Sequence, residues 1–110
     1  MKFLPLLQNS DTKNSKLQVK ESIRFLKLKN KHKKDKFLIG KIDFTIKLLK
    51  TDESNPTLHF KKITCKTDKN RYSVRVINTQ YRILMTVFDG YAELFCVCNH
   101  DTYDRYNDNC

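Results

Sequence analysis

Apolar and polar positions alternate most regularly between Arg71 and Asp104, in the run RYSVRVINTQYRILMTVFDGYAELFCVCNHDTYD. Period two is the signature of a half-buried strand, and two turn signals divide the run into three strands. Asp89-Gly90 is the stronger signal, because a two-residue primed turn needs positive φ and Gly tolerates it; Asn78-Thr79 is a weaker version. With two-residue loops at both, Ile77 pairs with Gln80, Val76 with Tyr81 and Arg75 with Arg82. In the second hairpin Phe88 pairs with Tyr91, Met85 with Leu94, Ile83 with Cys96 and Arg82 with Val97.

This register predicts two unlike faces. One carries Tyr72, Val74, Val76, Tyr81, Ile83, Met85, Val87, Ala92, Leu94, Cys96 and Cys98, and is core. The other carries Ser73, Arg75, Gln80, Arg82, Leu84, Thr86, Glu93, Phe95, Val97 and Asn99, and is a candidate working surface. A slip of one residue would scramble both sets, so their clean separation supports the register. It also sets Arg75 directly opposite Arg82. Like charges across a strand pair are destabilising, which suggests an anion or a partner's carboxylate between them; the plainer alternative is that both reach solvent or pair with Glu93.

The pattern upstream is different. Leu17 and Val19 alternate and predict a first strand over Lys16 to Lys20, after a polar stretch, NSDTKNS. From Ser22 the spacing becomes helical, with Ile23 and Leu26 and then Ile39, Ile42, Ile46 and Leu49 on one face. Two helices joined near His32 to Asp35 follow, the second ending by Asn55-Pro56, because the residue before proline is pushed out of the α region. Gly40 inside the second helix suggests close packing there. After Pro56, Leu58 and Phe60 alternate with His59 and Lys61.

With 110 residues the chain is one domain. Its net charge of +10 is concentrated in N-terminal lysines, which favours polyanionic partners, nucleic acid first. The densest block is Lys27, Lys29, Lys31, Lys33, Lys34 and Lys36. Such a run is more often a solvated helix end; its functional reading is contact with phosphates, made by Lys33 and Lys34. No apolar run has transmembrane length, and Phe3 to Leu7 is too short for a signal-peptide core, so the expected location is cytoplasmic. Four cysteines are too few for a secreted disulfide scaffold and are expected to be reduced.

Candidate chemistry is narrow. Cys96, Cys98 and His100 share a side of a regular strand and are zinc-ligand types, but a fourth ligand is missing and the register sends the cysteines into the core, so no metal is expected. Only Gly40 and Gly90 are glycines, which excludes a Gly-rich phosphate cradle, and no nucleophile elbow is present. What remains is His59, Lys61, Lys62, Arg75, Arg82, His100 and Tyr103. These types suit cofactor-free cleavage of RNA, in which the 2'-hydroxyl is the nucleophile and the protein supplies a general base, a general acid and cations for the phosphorane charge.

The ordered set FKKI, YSVRV, QYRILMTVFDG and HDTY resembles the RelE/ParE superfamily of small bacterial toxins from type II toxin-antitoxin modules, over roughly residues 16 to 104. The resemblance implies an α+β fold, with two N-terminal helices packed on one face of a small twisted antiparallel sheet in the order β-α-α-β-β-β. Residues 1–15 exceed the family's usual start and read as a short extension, followed by a single toxin domain over residues 16–110. It also implies a metal-independent endoribonuclease that cuts mRNA on the ribosome, leaves a 2',3'-cyclic phosphate and is held by a cognate antitoxin. Arg82 matches the strand arginine that stabilises the scissile phosphate, Lys61 and Lys62 match the basic step before the sheet, and Tyr103 matches the C-terminal aromatic that orients a nucleotide. His100 and His59 fall where related toxins place acid/base groups. The rival readings are a ParE-like gyrase inhibitor and a non-catalytic basic RNA-binding module.

Overall fold

The computed structural model describes residues 17–99, 101 and 103–105, so the expected extension over residues 1–15 and His100 lie outside the described residues. The elements are β1 (Gln18–Glu21), α1 (Ile23–Asn30), α2 (Lys36–Thr51), a 3-10 turn (Pro56–Leu58), β2 (Lys61–Lys62), β3 (Arg71–Arg75), β4 (Arg82–Phe88) and β5 (Tyr91–Cys98). Both helices start at side-chain caps: the Ser22 hydroxyl accepts from the Phe25 N–H at 3.1 Å and the Asp35 carboxylate from the Leu38 N–H at 3.0 Å. Each cap satisfies an N–H that the helix itself leaves unpaired.

On α2 the buried positions are Leu38, Ile42, Thr45, Ile46 and Leu49, one helical stripe. The stripe packs with Phe25 of α1 against Val74, Val76, Ile83, Met85, Ala92, Leu94 and Val97, and this is the main core. Each fully buried large side chain contributes roughly 1.5–3 kcal/mol. Gly40 does not mark close packing, as a Cβ there would have nothing within 4 Å. The helix ends at Thr51, and the Asn55 side chain then caps the 3-10 turn at Pro56 by accepting from the Thr57 N–H at 3.0 Å.

The sheet order is β1-β5-β4-β3-β2. β1 runs parallel to β5, with Gln18 opposite Tyr91 and Glu21 opposite Leu94, so the sheet is mixed where a purely antiparallel one was expected. Parallel neighbours need a long connection, and here everything between β1 and β5 supplies it. The two hairpins form at the expected turns, with Asn78 at φ 59°, Asp89 at φ 54° and Gly90 at φ 80°. Arg75 opposes Arg82, the Val76 N–H donates to the Tyr81 carbonyl at 3.0 Å, and Phe88 opposes Tyr91.

The expected register holds as far as Met85 and Leu94 and then shifts. Leu84 pairs with Cys96, Ile83 with Val97 and Arg82 with Cys98, leaving Phe95 as the extra residue of a β-bulge. The faces of the end of β5 are therefore exchanged. Val97 enters the main core, while Cys96 and Cys98 turn to the opposite face and join Leu84 and Tyr103 in a second buried cluster. Cys96 and Cys98 are free thiols, whereas Cys65 is disulfide-bonded, against the expectation of four reduced cysteines. Among the described residues no helix is long and apolar enough to cross a membrane.

Candidate functional site

The face of the sheet away from the helices collects the chain's strand arginines. Alternation along β3 sends Arg71, Ser73 and Arg75 to this side, and along β4 it sends Arg82, Leu84 and Thr86. A helical turn after β5, in which the Tyr103 N–H donates to the Asn99 carbonyl at 2.9 Å, folds Tyr103 back over the same surface. Tyr103 is only 7% exposed. Its hydroxyl lies 3.4 Å from the Ser73 Oγ, and the Arg82 guanidinium sits over its ring at 5.1 Å from the centroid.

Arg71 and Arg82, both on this face, differ in how their charge is balanced. Arg71 lies over the Phe95 ring at 5.0 Å and 3.7 Å from the Asp68 carboxylate. That carboxylate is itself held by the Thr86 hydroxyl at 2.7 Å and the Asn70 N–H at 2.9 Å, so the Arg71 charge is met by an anchored carboxylate. Arg82 is the contrast. Its Nη1 is buried without a hydrogen-bond partner, and neither Arg82 nor Arg75 forms an ion pair among the described residues. Glu93 stands opposite Thr86, well along the hairpin from Arg82, and does not neutralise it. The two guanidinium groups instead flank an open cavity of about 460 Å³ lined by Arg75, Thr79, Gln80, Tyr81 and Arg82. Two cations facing each other, Arg82 partly buried and Arg75 exposed, with neutral donors beside them, favour an oxyanion between them.

The other expected site residues distribute unevenly. Lys61 opposes Ser73 and so shares the arginine face, whereas Lys62 opposes Tyr72 and belongs to the other side. Lys33 and Lys34 occupy the turn between α1 and α2. His32 of that turn packs edge-on against Tyr81 at 5.2 Å, so the lysines adjoin the hairpin end that carries Arg75 and Arg82. His59 ends the 3-10 turn in a left-handed conformation, φ 49°, is exposed, and is not among the cavity walls. Sequence reasoning put Ser73 and Gln80 on the working surface and Thr79 in the turn, but named none of them as a site residue. The signal for Ser73 was its place in the alternation between two arginines, a small polar group with room for Tyr103 above it.

Beneath Tyr103 lie the two thiols. Cys96 is held below the ordinary thiol range, first by a hydrogen bond from Cys98 and, against the opposing effect of burial, by the Arg24 guanidinium. Cys98 is pushed up by that hydrogen bond, by burial and by the Cys96 charge, with Arg82 opposing. Among the described residues no group of three or more metal-ligand side chains occurs.

No protein-family model matches the chain, and no curated protein matches its sequence. Solved structures do match. YafQ from E. coli strain BL21(DE3) aligns over 79% of this chain and 97% of its own, with a TM-score of 0.63 and 12% identity. The chain has the RelE-like fold of these toxins. YoeB from Staphylococcus aureus, solved as a dimer, aligns over 77% of this chain and 98% of its own at TM-score 0.57 and 21% identity. The E. coli DinJ-YafQ toxin-antitoxin complex contributes a match with TM-score 0.64, 11% identity and coverage of 79% and 96%. The RelE-like fold thus spans nearly the full length of each neighbour, and the arginine face is carried on its central strands.

Proposed function

We propose that this chain is the toxin of a type II toxin-antitoxin system, a metal-independent endoribonuclease that cuts mRNA on the ribosome. The observation that carries the reading is the Arg75–Arg82 pair, two cations without an ion pair among the described residues that line an open cavity at the end of the β3–β4 hairpin. A phosphodiester is the anion that fits: its non-bridging oxygens accept from the guanidinium groups, and these donors strengthen as charge builds on the phosphorane. Support for the toxin class comes from neighbours solved as toxin-antitoxin complexes, DinJ-YafQ and YoeB-YefM. By that likeness the partner of this chain is a cognate antitoxin protein, and residues 16–110 form one toxin domain preceded by a short extension.

In the reaction, the 2'-oxygen bonds to phosphorus, the bond from phosphorus to the 5'-oxygen breaks, and a 2',3'-cyclic phosphate and a 5'-hydroxyl result. A base takes the 2'-hydroxyl proton and an acid returns one to the departing oxygen. Arg82 is assigned to the scissile phosphate, with Arg75 and Lys61 on flanking charge. His100 and His59 are the candidates for acid and base. Tyr103 is a positioning residue, holding the Arg82 guanidinium from below. Lys33 and Lys34 extend the basic surface from the hairpin end, and a net charge of +10 makes RNA affinity fall as salt rises.

The test is induced expression followed by mapping of mRNA 5' ends, comparing the unsubstituted chain with Arg82→Ala. New, codon-phased ends that disappear in the variant support the reading. Growth arrest with inhibited supercoiling and intact mRNA, unaffected by Arg82→Ala, would transfer the protein to the gyrase-inhibiting class.

A further inference from the structure

The cleavage reaction makes no use of the Cys96–Cys98 pair. Beyond the bulge the two residues stand at i and i+2 on one side of β5, both free and only 1% and 4% exposed. Strand rise separates their Cα atoms by about 6.6 Å. That lies at the outer end of the range a disulfide spans, so oxidation to a Cys96–Cys98 disulfide fits poorly. An ion held on a nearly straight line between two sulfurs needs them farther apart than a covalent bond does, and this spacing provides it.

The surroundings select the ion. Leu84 and Tyr103 enclose the thiols in an apolar shell, and no third ligand stands with them among the described residues. Zinc takes four ligands and is poorly served. Monovalent copper is soft, prefers thiolates and accepts two. Two thiolates around a monovalent ion leave one net negative charge. Arg82, directly across the ladder from Cys98 and with Nη1 unpartnered among the described residues, supplies balancing positive charge, and Arg24 adds to it on the Cys96 side. The geometry points to Cys96 and Cys98 as a two-coordinate thiolate site for Cu(I), roofed by Tyr103 and charge-balanced by Arg82. Binding replaces both thiol protons, which pass to solvent. The site shares Arg82 and Tyr103 with the proposed nuclease face, but its test reads metal binding alone, so its failure and the failure of the nuclease reading are distinguishable.

The test uses the full chain, with ascorbate keeping copper monovalent and leaving disulfides intact, titrated in competition with the chromophoric chelator bathocuproine disulfonate. One Cu(I) per chain is expected. The X-ray absorption edge should be that of linear two-sulfur coordination, a readout that needs no substitution in the buried pair. Cys96→Ser and Cys98→Ser should each weaken binding by about 10²- to 10⁴-fold, as the second ligand of a chelating pair is lost. Circular dichroism matching the unsubstituted chain confirms that the variants fold. A stoichiometry well below one, an edge of three- or four-coordinate copper, or unchanged affinity in both folded serine variants would overturn the proposal.

Discussion

Tyr103 separates two accounts of the arginine face, because the family resemblance casts it as a group that touches RNA while the structure buries it beneath Arg82. Replacing it with alanine removes the ring that covers Leu84, Cys96 and Cys98. Truncating a buried aromatic costs about 3–5 kcal/mol, and because Tyr103 sits on a helical turn after β5 whose neighbours can settle inward, the lower end, about 3 kcal/mol, is expected. Replacing it with phenylalanine keeps the ring and the Arg82 stack. Only the hydroxyl contact to Ser73 is lost, and at 3.4 Å it is long for an O–H···O bond, so the cost is about 1 kcal/mol or less. Urea denaturation reads the difference. With a denaturant slope of about 1–3 kcal/mol/M, Tyr103→Ala lowers the midpoint by roughly 1–3 M and Tyr103→Phe by a fraction of that. RNA cleavage should follow the ring: Tyr103→Phe within a few-fold of the unsubstituted chain, Tyr103→Ala strongly impaired even where it is fully folded. Equal loss of activity in both variants at unchanged stability would show that the hydroxyl takes part in the chemistry, and the positioning role would be wrong.

Three further outcomes follow from particular residues. Val97→Ala should cost about 2 kcal/mol, because two methyl groups leave the helix-side core; a near-zero change in urea midpoint would restore the unbulged register. Gly40→Ala should stabilise α2 by about 0.5–1 kcal/mol, since the helix gains a better former and the new methyl meets open space; thermal melting checks it. Cys98 is held above the ordinary thiol range in the folded chain by its bond to Cys96 and by burial. A raised folded value gives a contribution present below the unfolded thiol value, near 8.5, and lost as pH climbs past it. Above that pH Cys96 is ionised in both states and adds no slope, so stability should fall by up to about 1.4 kcal/mol per pH unit just above pH 8.5. Cys98→Ala should flatten this fall in denaturation curves taken at successive pH values.

Much of the arrangement is written in short-range signals. The Asp89-Gly90 and Asn78-Thr79 turns set both hairpins, and with them the confrontation of Arg75 and Arg82. The two helices and their connection near His32 to Asp35 were legible from spacing, while the capping role of Asp35 and the end of α2 at Thr51 came from the structure. The bulge was hidden for a definite reason. Phe95, Cys96 and Val97 are all apolar, so shifting the strand by one residue replaces Cys96 with Val97 on the core face and leaves the alternation looking intact. The parallel pairing of β1 with β5 is a long-range contact that no local pattern reports. Tyr103 could be assigned to the right neighbourhood by resemblance, but its burial depends on the small Ser73 side chain thirty residues away, which makes room for it. Lys61 and Lys62 looked equivalent as a basic step, and only their pairing with Ser73 and Tyr72 separates them.

The central claim is that an unneutralised Arg82, set against Arg75, is there to meet a scissile phosphate. The most direct measurement incubates the purified chain and Arg82→Ala with translating ribosomes on a defined mRNA and determines the chemistry of both new ends. The account predicts a 2',3'-cyclic phosphate and a 5'-hydroxyl from the unsubstituted chain. It predicts a loss of about 10²-fold or more in the variant, the scale on which one donor to a transition-state oxyanion acts. Cleavage at full rate by Arg82→Ala, or an mRNA left whole by an unsubstituted chain that still arrests growth, would contradict it.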